Sequence, residues 1–205
     1  MAKELVVYFS VYGTAKIVAE EIAKQTGADI VEIEPAVPYD SNRDHYNALA
    51  RLAKKEHDED QRPAIKNEID IDAYDRIYIG YPMWWYTFPM ILYTFFDKYD
   101  FSGKTIIPFN THMGSGDGGT YDTIRKLEPN ATVLTGLPVE MRDAENGPAK
   151  AVEKWLKSLK EPLNKSLGWM SEDVFRQSGI KDRRNTDVFQ GILDPDGGKQ
   201  TAQTP

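Results

Sequence analysis

The chain has no cysteine in its 205 residues. Disulfides, thiolate zinc sites, iron–sulfur clusters and a cysteine nucleophile are thereby excluded. Basic charge is also in short supply: 25 Lys and Arg stand against 32 Asp and Glu, for a formal net charge of −7. Binding that replaces the counterions of nucleic acid with Lys and Arg has no support in that balance. A partner with a basic face suits it better, because complementary fields speed encounter. No uncharged apolar run approaches the ~20 residues that span a bilayer. Met1-Ala2-Lys3-Glu4 leads directly into an apolar strand without the layout of a signal peptide. Together these absences predict a cytoplasmic protein with neither membrane nor nucleic-acid partners. His45 and His57 read as helix-surface residues, and no metal-ligand pattern is apparent.

What is present is an alternation of strands and helices. Leu5 to Phe9 is a continuous apolar run, as expected of a parallel strand buried on both faces. After Gly13, the residues Ala15, Val18, Ala19, Ile22 and Ala23 fall on one helical face that stops near Gly27. Asp29 to Ile33 reads as a second strand, ended by Pro35 and Pro38. Ser41 with Asp44 predicts a helix start, Tyr46, Leu49, Ala50 and Ala53 its apolar stripe, and Lys54 to Asp60 its solvated end. A third strand is predicted over 74–81, a helix through Phe88, Ile91, Leu92, Phe95 and Phe96, and a fourth strand over 104–109. Pro108 is anomalous there, since it cannot donate a ladder bond. A helix at Tyr121, Ile124 and Leu127, a fifth strand over 132–139 and a helix at Val152, Trp155, Leu156 and Leu159 complete the series. Such alternation predicts an α/β fold, a parallel sheet with right-handed crossovers and helices on both faces.

After Pro162 the rhythm stops. The chain thus divides into a domain over 1–162 and a C-terminal extension over 163–205, which is charge-neutral and ends in a Gly-, Pro- and Gln-rich stretch. Leu167, Trp169, Met170, Val174 and Phe175 are expected to dock on the domain or on a second subunit of a homodimer; the alternative is an extension without fixed structure.

Three loops follow strand ends, where open α/β sheets bind ligands. Ser10-Val11-Tyr12-Gly13-Thr14-Ala15-Lys16 offers hydroxyls, a permissive glycine and helix N-terminal N–H groups, either an anion cradle or a plain helix cap. It is no Walker loop, because the Gly-Lys-Ser/Thr ending is missing. Pro82-Met83-Trp84-Trp85-Tyr86 cannot place all its aromatics in one core, so it serves a planar ligand, a subunit interface or a protruding core edge. The third loop runs from Asn110 through Thr111, His112, Met113, Gly114, Ser115 and Gly116 to Gly119. Its glycines permit close backbone approach. It also matches G-x-G-x-x-G literally, but too far beyond its strand for a dinucleotide fingerprint.

In this order the three motifs resemble the flavodoxin family over residues 4 to 160, in the variety with a Gly-Tyr-Pro-x-Trp-Trp loop and a Ser-Gly-Lys strand ending Pro-Phe-x-Thr. The resemblance accounts for Pro108. It implies a flavodoxin-like, three-layer, doubly wound, five-stranded parallel sheet of order 2-1-3-4-5 in the short-chain form. It also implies a non-covalent FMN cofactor. Ser10, Tyr12, Gly13, Thr14, Ala15 and Lys16 would surround the phosphate. Pro82, Met83, Trp84, Trp85 and Tyr86, with Thr111, His112, Gly114, Ser115 and Gly116, would flank the ring. Family members carry hydroxyl residues at the positions of Tyr12 and Ala15. The implied function is electron transfer through the flavin, with no catalytic side chain, either as a carrier docking a redox partner protein or as an NAD(P)H-dependent reductase of a small quinone-like acceptor. The alternative is a flavodoxin-fold interaction module that has lost tight FMN binding.

Overall fold

The apolar runs become the centre of a parallel sheet in the computed structural model, which describes residues 3–160. The expectations for residues 163–205 lie outside the described residues. The strands are β1 (Glu4–Tyr8), β2 (Asp29–Glu32), β3 (Arg76–Pro82), β4 (Thr105–His112), β5 (Thr132–Val133) and β6 (Leu137–Glu140). The helices are α1 (Thr14–Thr26), α2 (Tyr46–Asp58), α3 (Met90–Lys98), α4 (Thr120–Leu127), α5 (Met141–Glu145) and α6 (Ala149–Lys160). Strand order is β2-β1-β3-β4-β5, with β6 also paired to β4 and every pairing parallel. This is the strand order expected from the sequence.

Period-two alternation divides the core between the two faces of the sheet. Leu5, Val7, Phe9, Ile77, Ile79 and Tyr81 belong to one buried cluster with Ile91, Leu92, Phe95 and Phe96 of α3 and Tyr121 and Ile124 of α4. Residues of opposite parity face the other way: the Tyr78 ring meets Trp155 of α6 edge-on, with centroids 6.0 Å apart. Val18, Ala19 and Ile22 of α1 are also fully buried. Each face therefore has its own helical cover.

The predicted fifth strand is split in two, because it cannot be continuous. Thr132 N donates to Lys104 O and Leu134 N to Ile106 O, so even-numbered groups of β4 face the edge strand. The next such group belongs to Pro108, which has no N–H. Opposite it, a Cβ on Gly136 would lie 2.4 Å from the Tyr121 ring and 2.8 Å from the Pro108 carbonyl oxygen. The backbone bulges past this point, and pairing resumes at Phe109↔Leu137.

Two further differences are local. The turn before α2 is capped by Asn42, whose side chain accepts from Asp44 N, and not by Ser41. Within the charged run, Glu56 is buried, and the Tyr39 hydroxyl lies 2.9 and 3.1 Å from its carboxylate oxygens. Burial raises the Glu56 pKa, partly offset by the hydrogen bond from Tyr39.

At the end of α4, burial, reinforced by Asp100 and Asp97, pushes Glu128 up from its ordinary 4.5 to about 7. The folded state therefore holds this proton more tightly than the unfolded chain does. The stability it lends is complete below pH 4.5 and lost as pH rises through about 7. Glu128→Gln is expected to remove that decline and to be more stable than wild type at pH 8 by about 1 kcal/mol, a small value because the carboxyl is partly hydrated. Urea denaturation at pH 4 and pH 8 checks this, and an unchanged difference between the two would contradict it.

Candidate functional site

The chain leaves β1 toward β2 on one side and returns to β3 on the other, so the strand order reverses between β1 and β3. Loops at the carboxyl ends of strands flanking such a point splay apart and leave a crevice. Here the crevice is a pocket of about 700 Å³. Of the residues expected around a ligand, Tyr12, Thr14, Pro82, Met83, Trp84, Trp85, Tyr86, Thr111, His112, Gly114 and Ser115 line it. Ser10, Gly13, Ala15, Lys16 and Gly116 do not contribute to its wall.

The first loop ends at Gly13, which adopts φ +83° as the residue preceding α1 and provides no side-chain cap. An α-helix leaves its first N–H groups without internal partners. Those of Thr14, Ala15 and Lys16 precede the first intrahelical bond, from Ile17 N to Gly13 O at 3.0 Å, and of these three residues Thr14 lines the pocket. Thr14 is buried, with its Oγ1 3.5 Å from Thr111 Oγ1. Ala15 is buried in the core, so this position turns away from the cavity. Lys16 is exposed and lies 4.0 Å from Glu20 along the helix. The Tyr12 hydroxyl is shielded from solvent and has no hydrogen-bond partner. Burial and the nearby Asp40 and Tyr46 raise its pKa, while Arg43 opposes them.

The second loop is a tight hairpin. Trp84 and Thr87 exchange both backbone hydrogen bonds, at 2.9 and 3.0 Å. The intervening Trp85 and Tyr86 have φ of +52° and +60°. Positive φ at both central positions is the type I′ geometry that Asn-Gly adopts readily, and bulky aromatics hold it at a cost of roughly 1–3 kcal/mol each. Two anchors offset that strain. Trp84 packs edge-on against Phe9 and Tyr39, at 5.7 and 5.4 Å. Trp85 Nε1 donates to the Ala50 carbonyl of α2 at 2.9 Å. Tyr86 is left 77% exposed.

The third loop is shaped from below. Buried Asn110 donates through Nδ2 to Gly116 O at 2.9 Å and accepts from the Tyr121 hydroxyl. Tyr81 donates to Thr120 Oγ1, which in turn donates to Asp117 O. His112 Nδ1 accepts from Gly114 N at 3.0 Å, so the imidazole helps to build the turn. Gly118 allows the second and third loops to meet: a Cβ there would lie 2.7 Å from Met83 Cε and 3.1 Å from Tyr86 O.

Part of the wall was not expected from the sequence. Arg43, Tyr46, Leu49, Ala50, Ala53 and Met141 also line the pocket, beside Met113 of the third loop. Tyr46, Leu49, Ala50 and Ala53 form the stripe assigned to the apolar face of α2; one side of that helix faces the cavity. The exposed half of that stripe (Tyr46 is 51% exposed) is the signal in retrospect. No described helix is long and apolar enough to cross a membrane. No group of His, Asp and Glu among the described residues is arranged to hold a metal ion.

Comparison with known proteins bears on the fold and the family. A crystal structure from Bacteroides eggerthii assigned as that of a flavoprotein is 33% identical, with a TM-score of 0.69 over 79% of this chain and 100% of its own. The flavoprotein of Lactobacillus acidophilus NCFM, solved in complex with FMN, shares the fold at 20% identity and a TM-score of 0.59, over 71% of this chain and 98% of its own. An NAD(P)H dehydrogenase (quinone) from Gluconacetobacter diazotrophicus is 29% identical over 153 residues, covering 67% of this chain and 72% of the relative. The family model described as Flavodoxin matches residues 3–159, and the chain belongs to the flavodoxin family.

Proposed function

We propose that the pocket binds FMN non-covalently and that the protein uses it to pass electrons from NAD(P)H to a small quinone-like acceptor. The observation that carries this reading is one cavity with two chemically different ends. At one end, the uncapped N-terminus of α1 and the Thr14 hydroxyl form an anion site. At the other, the lining is apolar, with Met83, Trp84 and Trp85 of the second loop and Leu49, Ala50 and Ala53 of α2. A phosphate joined to a flat heteroaromatic ring meets both requirements. The volume of about 700 Å³ lies within the ~300–1,000 Å³ typical of small-molecule sites.

The residues present fit that cofactor. The unpartnered Tyr12 hydroxyl and the free N–H groups of the first turn are donors without acceptors, which a phosphate would supply. Thr111 and Ser115 of the pocket wall would offer hydroxyls to the polar edge of the ring. The aromatic hairpin would shield the ring from water. FMN, when bound, supplies the capacity to accept a hydride or electrons and release them, which no side chain here possesses. The protein's part is to hold and orient the ring and to leave a mouth for the donor and acceptor. The exposed Tyr86 and Met113 stand at that mouth. The quinone dehydrogenase among the relatives supports a reductase over a carrier.

Titration of the protein into FMN is expected to quench flavin fluorescence to a one-to-one end point. Anaerobic NADH or NADPH should then bleach the flavin absorbance, and a quinone should restore it. Absence of quenching would favour an interaction module without flavin; quenching without bleaching would favour a carrier reduced by another protein.

The strained hairpin separates stability from binding. Tyr86→Gly relieves a positive φ at an exposed position and is expected to raise unfolding free energy by about 1 kcal/mol. The same change removes an aromatic from the mouth of the pocket and should weaken FMN binding several-fold. Parallel thermal melts and fluorescence titrations check the opposite signs.

A further inference from the structure

Lys16, the basic residue expected around the phosphate, does not line the pocket: it is solvent-facing and near Glu20. Arg43 is the only formally charged side chain among the described residues lining the cavity. It comes from the turn before α2, thirty-one positions from Tyr12 in sequence. Its guanidinium lies over the Tyr12 ring, 5.6 Å from the centroid, and Nη2 is 3.5 Å from the Tyr12 carbonyl oxygen. The same Nη2 donates to Glu145 Oε1 of α5 at 2.6 Å. Asp40, the other acid beside Tyr12, is already bonded by His45 Nδ1 at 2.6 Å and by Asn42 N at 2.9 Å.

Resting on the FMN reading above, we propose that Arg43 is the phosphate-recognising cation of this site and that Glu145 competes with the phosphate for it. The physical case rests on three points. A guanidinium carries five N–H donors in a planar fork that suits phosphate oxygens, and one solvent-exposed ion pair does not exhaust them. Arg43 and Glu145 are 55% and 37% exposed, so their pairing is a weak surface interaction that a dianion can outcompete. The Arg43 charge also adds what the first loop does not bring to the pocket wall, since the loop's own cation, Lys16, does not line it. The arrangement makes affinity depend on the phosphate more than on the ring, and so discriminates FMN from riboflavin.

The test compares FMN with riboflavin by fluorescence quenching for the full-length wild type, Arg43→Met and Glu145→Gln, with melting curves to establish that each variant is folded. Arg43→Met should weaken FMN binding about 10- to 100-fold and change riboflavin binding less than about twofold. Glu145→Gln should tighten FMN binding about two- to fivefold, again without effect on riboflavin. Raising salt should weaken FMN binding to wild type more steeply than to Arg43→Met. Equal losses for both flavins in Arg43→Met, or no loss for either, would overturn the proposal while leaving FMN binding intact. Weaker FMN binding in Glu145→Gln would overturn the competition. A wild type that binds neither flavin would overturn this proposal together with the functional reading, a result distinct from the others.

Discussion

The site depends on one strand, β3, being hydrogen-bonded along both edges up to the loops that build the pocket. Tyr8 pairs with Gly80 on one side, and Phe9 N continues the ladder to Gly80 O at 2.9 Å. Pro82 pairs with Thr111 on the other, and Met83 N continues to Thr111 O at 2.8 Å. All three loops therefore spring from a single ladder whose strands are buried on both faces. Backbone polar groups there must be paired within the sheet, because no water reaches them. That requirement fixes the spacing of the loop origins.

Above the ladder, local preference gives way to tertiary anchoring. Trp85 and Tyr86 sit in backbone conformations that their side chains disfavour. They stay there because Trp84 is wedged between Phe9 and Tyr39 and Trp85 is tied to α2. Tyr39 in turn bonds the buried Glu56, so the carboxylate, the phenol and the indole form one continuous support beneath the hairpin. The glycine loop is held differently, by the Asn110, Tyr81 and Thr120 hydrogen bonds from inside the core. One wall is strained and apolar, and the other is relaxed and polar. A ligand with a flat ring and hydrogen-bonding edges uses both.

Most of the fold was legible in the sequence because hydrophobic periodicity is a local property. The runs in β1 and β3 and the stripes of α1, α3 and α4 report their burial directly. The split of the last strand was not legible, although Pro108 announced a missing donor. Only the register shows that this donor faces the edge strand, opposite Gly136 and the Tyr121 ring. Likewise, the run from Lys54 to Asp60 reads as solvated, and nothing local distinguishes Glu56 from its neighbours until Tyr39 is seen to cover it.

The sequence by itself determined the α/β alternation, the strand order that its family resemblance implied, and the three loops that meet at the crevice. Each is written in contiguous residues, where periodicity, glycine and aromatic content have immediate conformational meaning. The tertiary structure alone decided which side chains form the wall. It turned Lys16 outward, buried Ala15, opened one side of α2 to the cavity and brought Arg43 beside Tyr12. The physical reason is that charge and donor placement in a pocket depend on distances between segments far apart in the chain, and those distances exist only once the sheet has set them.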